Sequence, residues 1–262
     1  MPQLDPIALC PIIADAARAA GEAIMAVYAS DFDARSKSDS SPVTDADEAA
    51  EAIILAALHI CSPGTLVVAE EAVARDGAPP PAERFWLVDP LDGTREFISR
   101  NGEFTVNIAL VEGGTPVLGV VYLPAQDLLY TGIAGHGAAR ETDEGRTEIA
   151  VRRADPQGLD VVASRSHRDA ATDAFLSGLQ VRNLVPAGSS LKFCRVAEGS
   201  ADLYPRFGPT MEWDTAAGHA VLSAAGGTVT MPDGSPFRYG KPDYRNGGFL
   251  AFGSGLHGLR AD

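Results

Sequence analysis

The residues of this sequence that could do chemistry are carboxylates, and they stand where elements begin or end. Asp47 falls in the first turn of a helix that follows Thr44-Asp45. Glu70 and Glu71 close the apolar run LVVA (66–69), so the pair leaves the core side by side, a costly place for charge without a counter-ion. Asp89 and Asp92 flank Pro90-Leu91 at the end of FWLV (85–88), and Asp214 opens the helix WDTAAG. In DPLDGT (89–94) proline fixes φ and offers no N–H, while Gly93 permits a backbone conformation other residues resist. Such a turn can aim two carboxylates and the Leu91 carbonyl at one point. Oxygen donors of this kind suit a hard cation such as Mg²⁺, held at about 2.0–2.1 Å in octahedral geometry. Two such ions about 3.5–4 Å apart can clamp the attacking and the leaving oxygen of an in-line displacement.

Each piece alone has a plainer meaning. Asp-Pro and Asp-Gly are ordinary turn chemistry, Asp214 could serve only as a helix cap, and the Glu70-Glu71 pair could be a solvated strand end. Taken together, four oxygen-rich element ends with no compensating basic run argue for bound divalent metal.

The bulk features narrow the class. The 262 residues include 35 acidic against 21 Lys+Arg side chains, for a net charge of −14. That balance speaks against a nucleic-acid polymer as partner, because phosphate backbones are held by Lys and Arg. It also means that an anionic substrate must be attracted by something other than net charge. Forty-five per cent of the chain is hydrophobic, and a chain of this length buries roughly three quarters of its unfolded surface. Cys10, Cys61 and Cys194 are odd in number and scattered, which gives neither a disulfide framework nor a zinc knuckle and suits reduced thiols in a cytosol. The five histidines lie far apart without an H-E-x-x-H, so a metal here is held by oxygen. No segment approaches the roughly 18 uninterrupted apolar residues of a membrane helix. The apolar start carries Asp5, Asp15 and Glu22 and reads as an amphipathic helix, not a signal peptide. A cytoplasmic protein without an integral membrane segment is expected.

Several elements must position these carboxylates. Leu9, Ile12, Ile13, Ala16, Ala20, Ile24 and Val27 recur at helical spacing and predict a long first helix. RSKSDSSP (35–42) predicts an exposed loop. The second helix, with Asp45 and Glu48 in capping-box spacing, runs to about Cys61. The strands LVVA and FWLV follow, then FTVNIALV, PVLGVVYL and LLYTGIA, the first two of these three joined by the hairpin signal EGGT. Beyond RRADPQG (152–158) strands alternate with helices. The fold class is therefore α+β passing into α/β: helices on a mainly antiparallel sheet over 1–155, then an α/β unit over 156–262 that contributes Asp214.

Glu70-Glu71, WLVDPLDGTREF (86–97) and EWDTAAGHAVL (212–222) resemble the inositol-monophosphatase-like, lithium-sensitive, metal-dependent phosphatases. NGEFTVNIALVEGGTPVLGVVYLP (101–124) and GSSLKFCRVAEGSADLYPRFGP (188–209) are similar to the CysQ branch of 3′(2′),5′-bisphosphate nucleotidases, which convert adenosine 3′,5′-bisphosphate to AMP. The resemblance implies a layered αβαβα sandwich and two or three Mg²⁺ ions. It implies that Glu70, Asp89 and the Leu91 carbonyl bind one ion, and that Asp89, Asp92 and Asp214 bind a second. A third, weaker site would use Glu70 with water. Thr94 and Asp47 would deprotonate the attacking water, and the Gly93 and Thr94 N–H groups would hold phosphate oxygens. His167 would contact the nucleotide, with Ser189, Lys192 and Arg206 on the second phosphate and Glu212 on a sugar hydroxyl. A homodimer is compatible with the family. The alternatives on the same site are an inositol or broad sugar-phosphate phosphatase, and a non-catalytic metal- or nucleotide-binding module.

Overall fold

The computed structural model describes residues 5–30, 35–36, 42–166 and 168–261. The chain begins with α1 (Pro6–Tyr28), the ladder of β1 (Arg35–Ser36) and β2 (Pro42–Val43), and α2 (Asp45–Cys61). It continues through β3 (Leu66–Ala69), α3 (Glu70–Asp76), β4 (Arg84–Asp92) and α4 (Thr94–Ile98). A meander follows: β5 (Thr105–Glu112), β6 (Thr115–Leu123), β7 (Leu128–Ile133), β8 (Gly137–Thr142) and β9 (Gly145–Ile149). The second half comprises β10 (Leu159–Ser164), α5 (Ala170–Ser177), β11 (Val181–Ala187), α6 (Leu191–Ala197), β12 (Leu203–Arg206) and β13 (Thr210–Met211). It closes with α7 (Glu212–Ala224), β14 (Thr228–Thr230), β15 (Arg245–Asn246) and β16 (Phe249–Phe252).

Two sheets and three helical layers alternate. The seven-stranded sheet has the order β3-β4-β5-β6-β7-β8-β9, with only β3 and β4 parallel; the five-stranded sheet runs β11-β10-β12-β16-β14. Alternation along β4 sends Trp86 and Val88 to one face, where they pack with α1 and α2, and Phe85 and Leu87 to the other, where they meet α6 and α7. The same inner core holds Val162, Tyr204, Phe249 and Ala251 of the second sheet, and Leu176 of α5 covers that sheet's far side. The result is the expected αβαβα sandwich, with one apolar layer shared by both halves of the chain. Near residue 155 the chain crosses from β9 to β10.

Local sequence explains the element starts. Asp5 caps α1 by accepting from Ala8 N at 2.8 Å, and Pro6 takes the first helical position, where a missing N–H costs nothing. The capping box of α2 is Thr44 with Asp47, one residue before the Asp45–Glu48 spacing expected from sequence. Thr44 is the residue with extended backbone, so it closes the box. Glu70 and Glu71 open α3 and do not end a strand, and α7 starts at Glu212, two residues before Asp214. β8 and β9 extend the sheet where no strand was expected, and within 35–42 the ends pair as a ladder while 37–41 lie outside the described residues. α7 lies directly on the sheet backbone. A Cβ at Gly119 would come 2.3 Å from Ala217 O, and one at Gly132 would come 2.5 Å from Val221 Cα, so only glycine permits this approach.

Cys10, Cys61 and Cys194 are buried free thiols, and no helix among the described residues is long and apolar enough to cross a membrane. His219 of α7 is buried, with Nδ1 3.1 Å from the Tyr239 hydroxyl. Burial, helped by Arg238, pulls its pKa down to about 3. The unfolded chain therefore binds this proton first, and stability is lost as pH falls from about 6.5 towards 3, at up to about 1.4 kcal/mol per pH unit. Urea unfolding between pH 7 and 4 should show a shallower pH slope for His219→Gln than for the wild type. Equal slopes would mean that His219 does not titrate in this way.

Candidate active site

The ladder between β4 and β5 breaks where the site begins. Asp89 pairs with Asn107, the register shifts across Pro90-Leu91, and pairing resumes at Asp92 with Thr105. Proline cannot donate to the ladder, and Leu91 N instead donates to Asp89 Oδ1 at 3.1 Å. Gly93 then adopts φ +92°, and a Cβ there would sit 2.3 Å from Ser189 Oγ. The bulge and the glycine together turn Asp89, Leu91 and Asp92 towards the ends of α3 and α7.

Carboxylate oxygens of Glu70, Asp89 and Asp214 lie within 4.8 Å of one another. Asp92 stands beside them, its Oδ2 accepting from Ser190 N at 2.8 Å and Asn107 Nδ2 at 3.2 Å. Asp214 Oδ2 accepts from Met211 N at 2.8 Å, which fixes the side chain at the third position of α7. Burial pushes the Asp214 pKa well up, and the neighbouring Asp92 and Glu70 carboxylates add to it. Burial raises Asp92 as well, against the pull of Lys192. Crowded carboxylates, Asp89 buried and the others half-buried, fit a hard divalent cation, whose charge offsets both the repulsion and the desolvation.

These residues line one cavity of ≈ 300 Å³ together with Leu91, Gly93, Thr94, Ser189, Lys192 and Arg206. Asp47, 2 % exposed, backs it: Thr94 Oγ1 lies 3.5 Å from Asp47 Oδ1, and Asp47 Oδ2 accepts from Thr44 N and Thr44 Oγ1. Lys192 and Arg206 are buried in the lining of the same cavity. Lys192 Nζ donates to the Ser189 and Ala187 carbonyls, and Arg206 to those of Gly208 and Pro209 at 3.3 Å. Among the described residues neither makes an ion pair with a carboxylate, so positive charge remains for an anion. Burial draws the Lys192 pKa down to about 8, Asp92 opposing and Arg206 assisting.

Three expectations change or fall away. The carboxylate of Glu212 is fully buried and points away from the cavity, accepting from Gly240 N, Lys241 N and Lys241 Nζ. It anchors a loop and does not meet a sugar. Ser189 lines the cavity, but its single hydroxyl hydrogen serves the Asp92 and Glu103 carbonyls at 2.8 and 2.7 Å and is not free for a phosphate oxygen. His167 lies outside the described residues. The sequence did not single out Glu96, which is buried at the cavity wall and accepts from Ser166 Oγ at 2.6 Å. Its one signal is its place two residues after DPLDGT, in the first turn of α4.

A model of the inositol monophosphatase family matches residues 8–259. The 3′(2′),5′-bisphosphate nucleotidase CysQ of Escherichia coli O157:H7 is 51 % identical over 237 residues, covering 89 % of this chain and 95 % of that protein. An inositol monophosphatase of Mesembryanthemum crystallinum is 33 % identical over 240 residues, 85 % of each chain. Among solved structures, CysQ from Bacteroides thetaiotaomicron aligns with a TM-score of 0.77 at 40 % identity, covering 93 % of this chain and 96 % of that one.

Proposed function

The chain belongs to the inositol monophosphatase family, and on that premise we propose that it is a Mg²⁺-dependent phosphatase that removes the 3′-phosphate of adenosine 3′,5′-bisphosphate to give AMP and phosphate. The similarity to bisphosphate nucleotidases supports the substrate class. The observation that carries the proposal is that Lys192 and Arg206 share a cavity with the carboxylate cluster. A substrate with two phosphates needs both a cation site for the reacting group and a fixed positive charge for the other. A monophosphate gives Lys192 and Arg206 nothing to hold.

Glu70, Asp89, Asp92, Asp214 and the Leu91 carbonyl would hold Mg²⁺, which when bound neutralises charge on the reacting phosphate and the departing oxygen. The chain's own groups do the rest. Backbone N–H groups of Gly93 and Thr94 would orient the reacting phosphate for in-line attack. Thr94 Oγ1 would take a proton from the attacking water while passing its own to Asp47 Oδ1, and such contacts tighten once substrate is bound. The water oxygen forms the new bond to phosphorus as the bond to the ribose 3′ oxygen breaks, and that oxygen takes a proton from solvent. Lys192 and Arg206 would hold the 5′-phosphate, so that positioning supplies much of the rate.

Lys192→Met keeps the buried stem and removes the charge. Losing one charged hydrogen bond of about 1.5–3 kcal/mol should raise KM for the bisphosphate by roughly ten- to a hundredfold, with hydrolysis of inositol 1-phosphate unchanged. Steady-state kinetics on both substrates checks this. A wild-type preference for inositol 1-phosphate would overturn the substrate assignment and leave the reaction class standing.

A further inference from the structure

The acidic cluster is assembled from distant stretches of chain, and one buried serine ties two of them together. Ser190 is 1 % exposed and immediately precedes α6. A serine in that position ordinarily caps its own helix by accepting from a first-turn N–H. Ser190 makes no such bond. Its Oγ donates instead to the Asp214 carbonyl at 2.8 Å, and its N–H donates to Asp92 Oδ2 at 2.8 Å. The turn that presents it is itself held: Ser189 adopts φ +46°, a region non-glycine residues use sparingly, with Oγ against the Asp92 and Glu103 carbonyls. A single residue thus grips the side chain of Asp92 and the main chain that carries Asp214.

We propose that Ser190 is a positioning residue for the metal centre, setting the spacing between Asp92 and Asp214 so that both meet a divalent cation without rearrangement. This takes the metal-binding role of the cluster, as proposed above, for its premise. Groups that orient metal ligands through hydrogen bonds typically govern affinity by about 10–100-fold. The serine hydroxyl forgoes its local bond, so its side chain serves the spacing of the site and not the stability of α6.

The test is calorimetric titration of Mn²⁺ into the metal-free full-length protein without substrate, alongside thermal melts in EDTA. Ser190→Ala keeps the N–H bond to Asp92 and cuts only the hydroxyl bond to the Asp214 carbonyl; it should weaken Mn²⁺ binding by about 10–100-fold while its melting midpoint in EDTA stays near that of the wild type. Ser190→Thr, which keeps the hydroxyl, should restore the affinity. An unchanged Mn²⁺ affinity with a lowered EDTA midpoint would mean a purely structural serine and would overturn the proposal. If Ser190→Ala does not fold, Ser190→Cys, close in size and a weak donor, carries the same comparison. A wild-type protein that binds no Mn²⁺ would remove the premise itself, an outcome distinct from wild-type binding with no effect of the substitution.

Discussion

Asp214→Asn is expected to abolish phosphate release and, at the same time, to stabilise the metal-free protein. In the wild type this carboxylate shares a region within 4.8 Å with Glu70 and Asp89. Its pKa is driven up by burial and by Asp92 and Glu70. The charge is therefore a liability to the fold until a cation offsets it. An amide of the same shape keeps an oxygen for Met211 N and removes the repulsion. Each kcal/mol so relieved raises the melting midpoint by about 2–4 °C in a chain of this size. Turnover should fall by at least about 10²–10³-fold, the usual cost of one preorganised charge-stabilising group. Melts in EDTA and in Mg²⁺, run beside a phosphate-release assay, read both effects. Wild-type turnover, or an unchanged EDTA midpoint, would contradict the assignment. Asp92→Asn should likewise leave the fold intact and lose turnover, because its amide oxygen can still accept from Ser190 N.

Asp47→Asn should lower kcat by about 10²–10⁴-fold, the range of a positioned general base, with KM and Mn²⁺ affinity unchanged. Asp47 lies behind Thr94 and contributes no oxygen to the carboxylate triad. The amide oxygen can still accept from Thr44 N, so the start of α2 survives. Thr94→Ala breaks the same relay one atom earlier. Because groups that act as a unit are strongly non-additive, the double variant should be about as slow as either single one. Multiplying effects, or a loss of metal affinity in Asp47→Asn, would show that the two residues do not act in series.

Sequence legibility followed the range of the interactions involved. α1, α2 and the strands β4 to β7 were readable because their apolar periodicity is local and strong. β8 and β9 were not, because GAARET and GRTEI carry no apolar alternation: β8 buries only the adjacent small residues Ala138 and Ala139, and β9 is largely exposed. DPLDGT alone reads equally well as ordinary turn chemistry, and its meaning came from its company with the other oxygen-rich element ends at Asp47, Glu70 and Asp214. The direction of Glu212 was invisible, since it depends on a loop 28 and 29 residues away. Ser190 was equally hidden: its bonds reach residues 98 and 24 positions distant, and in sequence it is one more serine before a helix. Lys192 and Arg206 could be placed at a phosphate only by resemblance, and their shared cavity with the carboxylates became evident only in the folded chain.

The most direct test is anomalous diffraction from crystals of the full chain soaked in Mn²⁺. Strong peaks are expected among the carboxylates of Glu70, Asp89, Asp92 and Asp214 and beside the Leu91 carbonyl, at inner-sphere distances to those oxygens. Ordered side chains with no anomalous peak between them, or a peak held only by residues outside this cavity, would contradict the metal assignment.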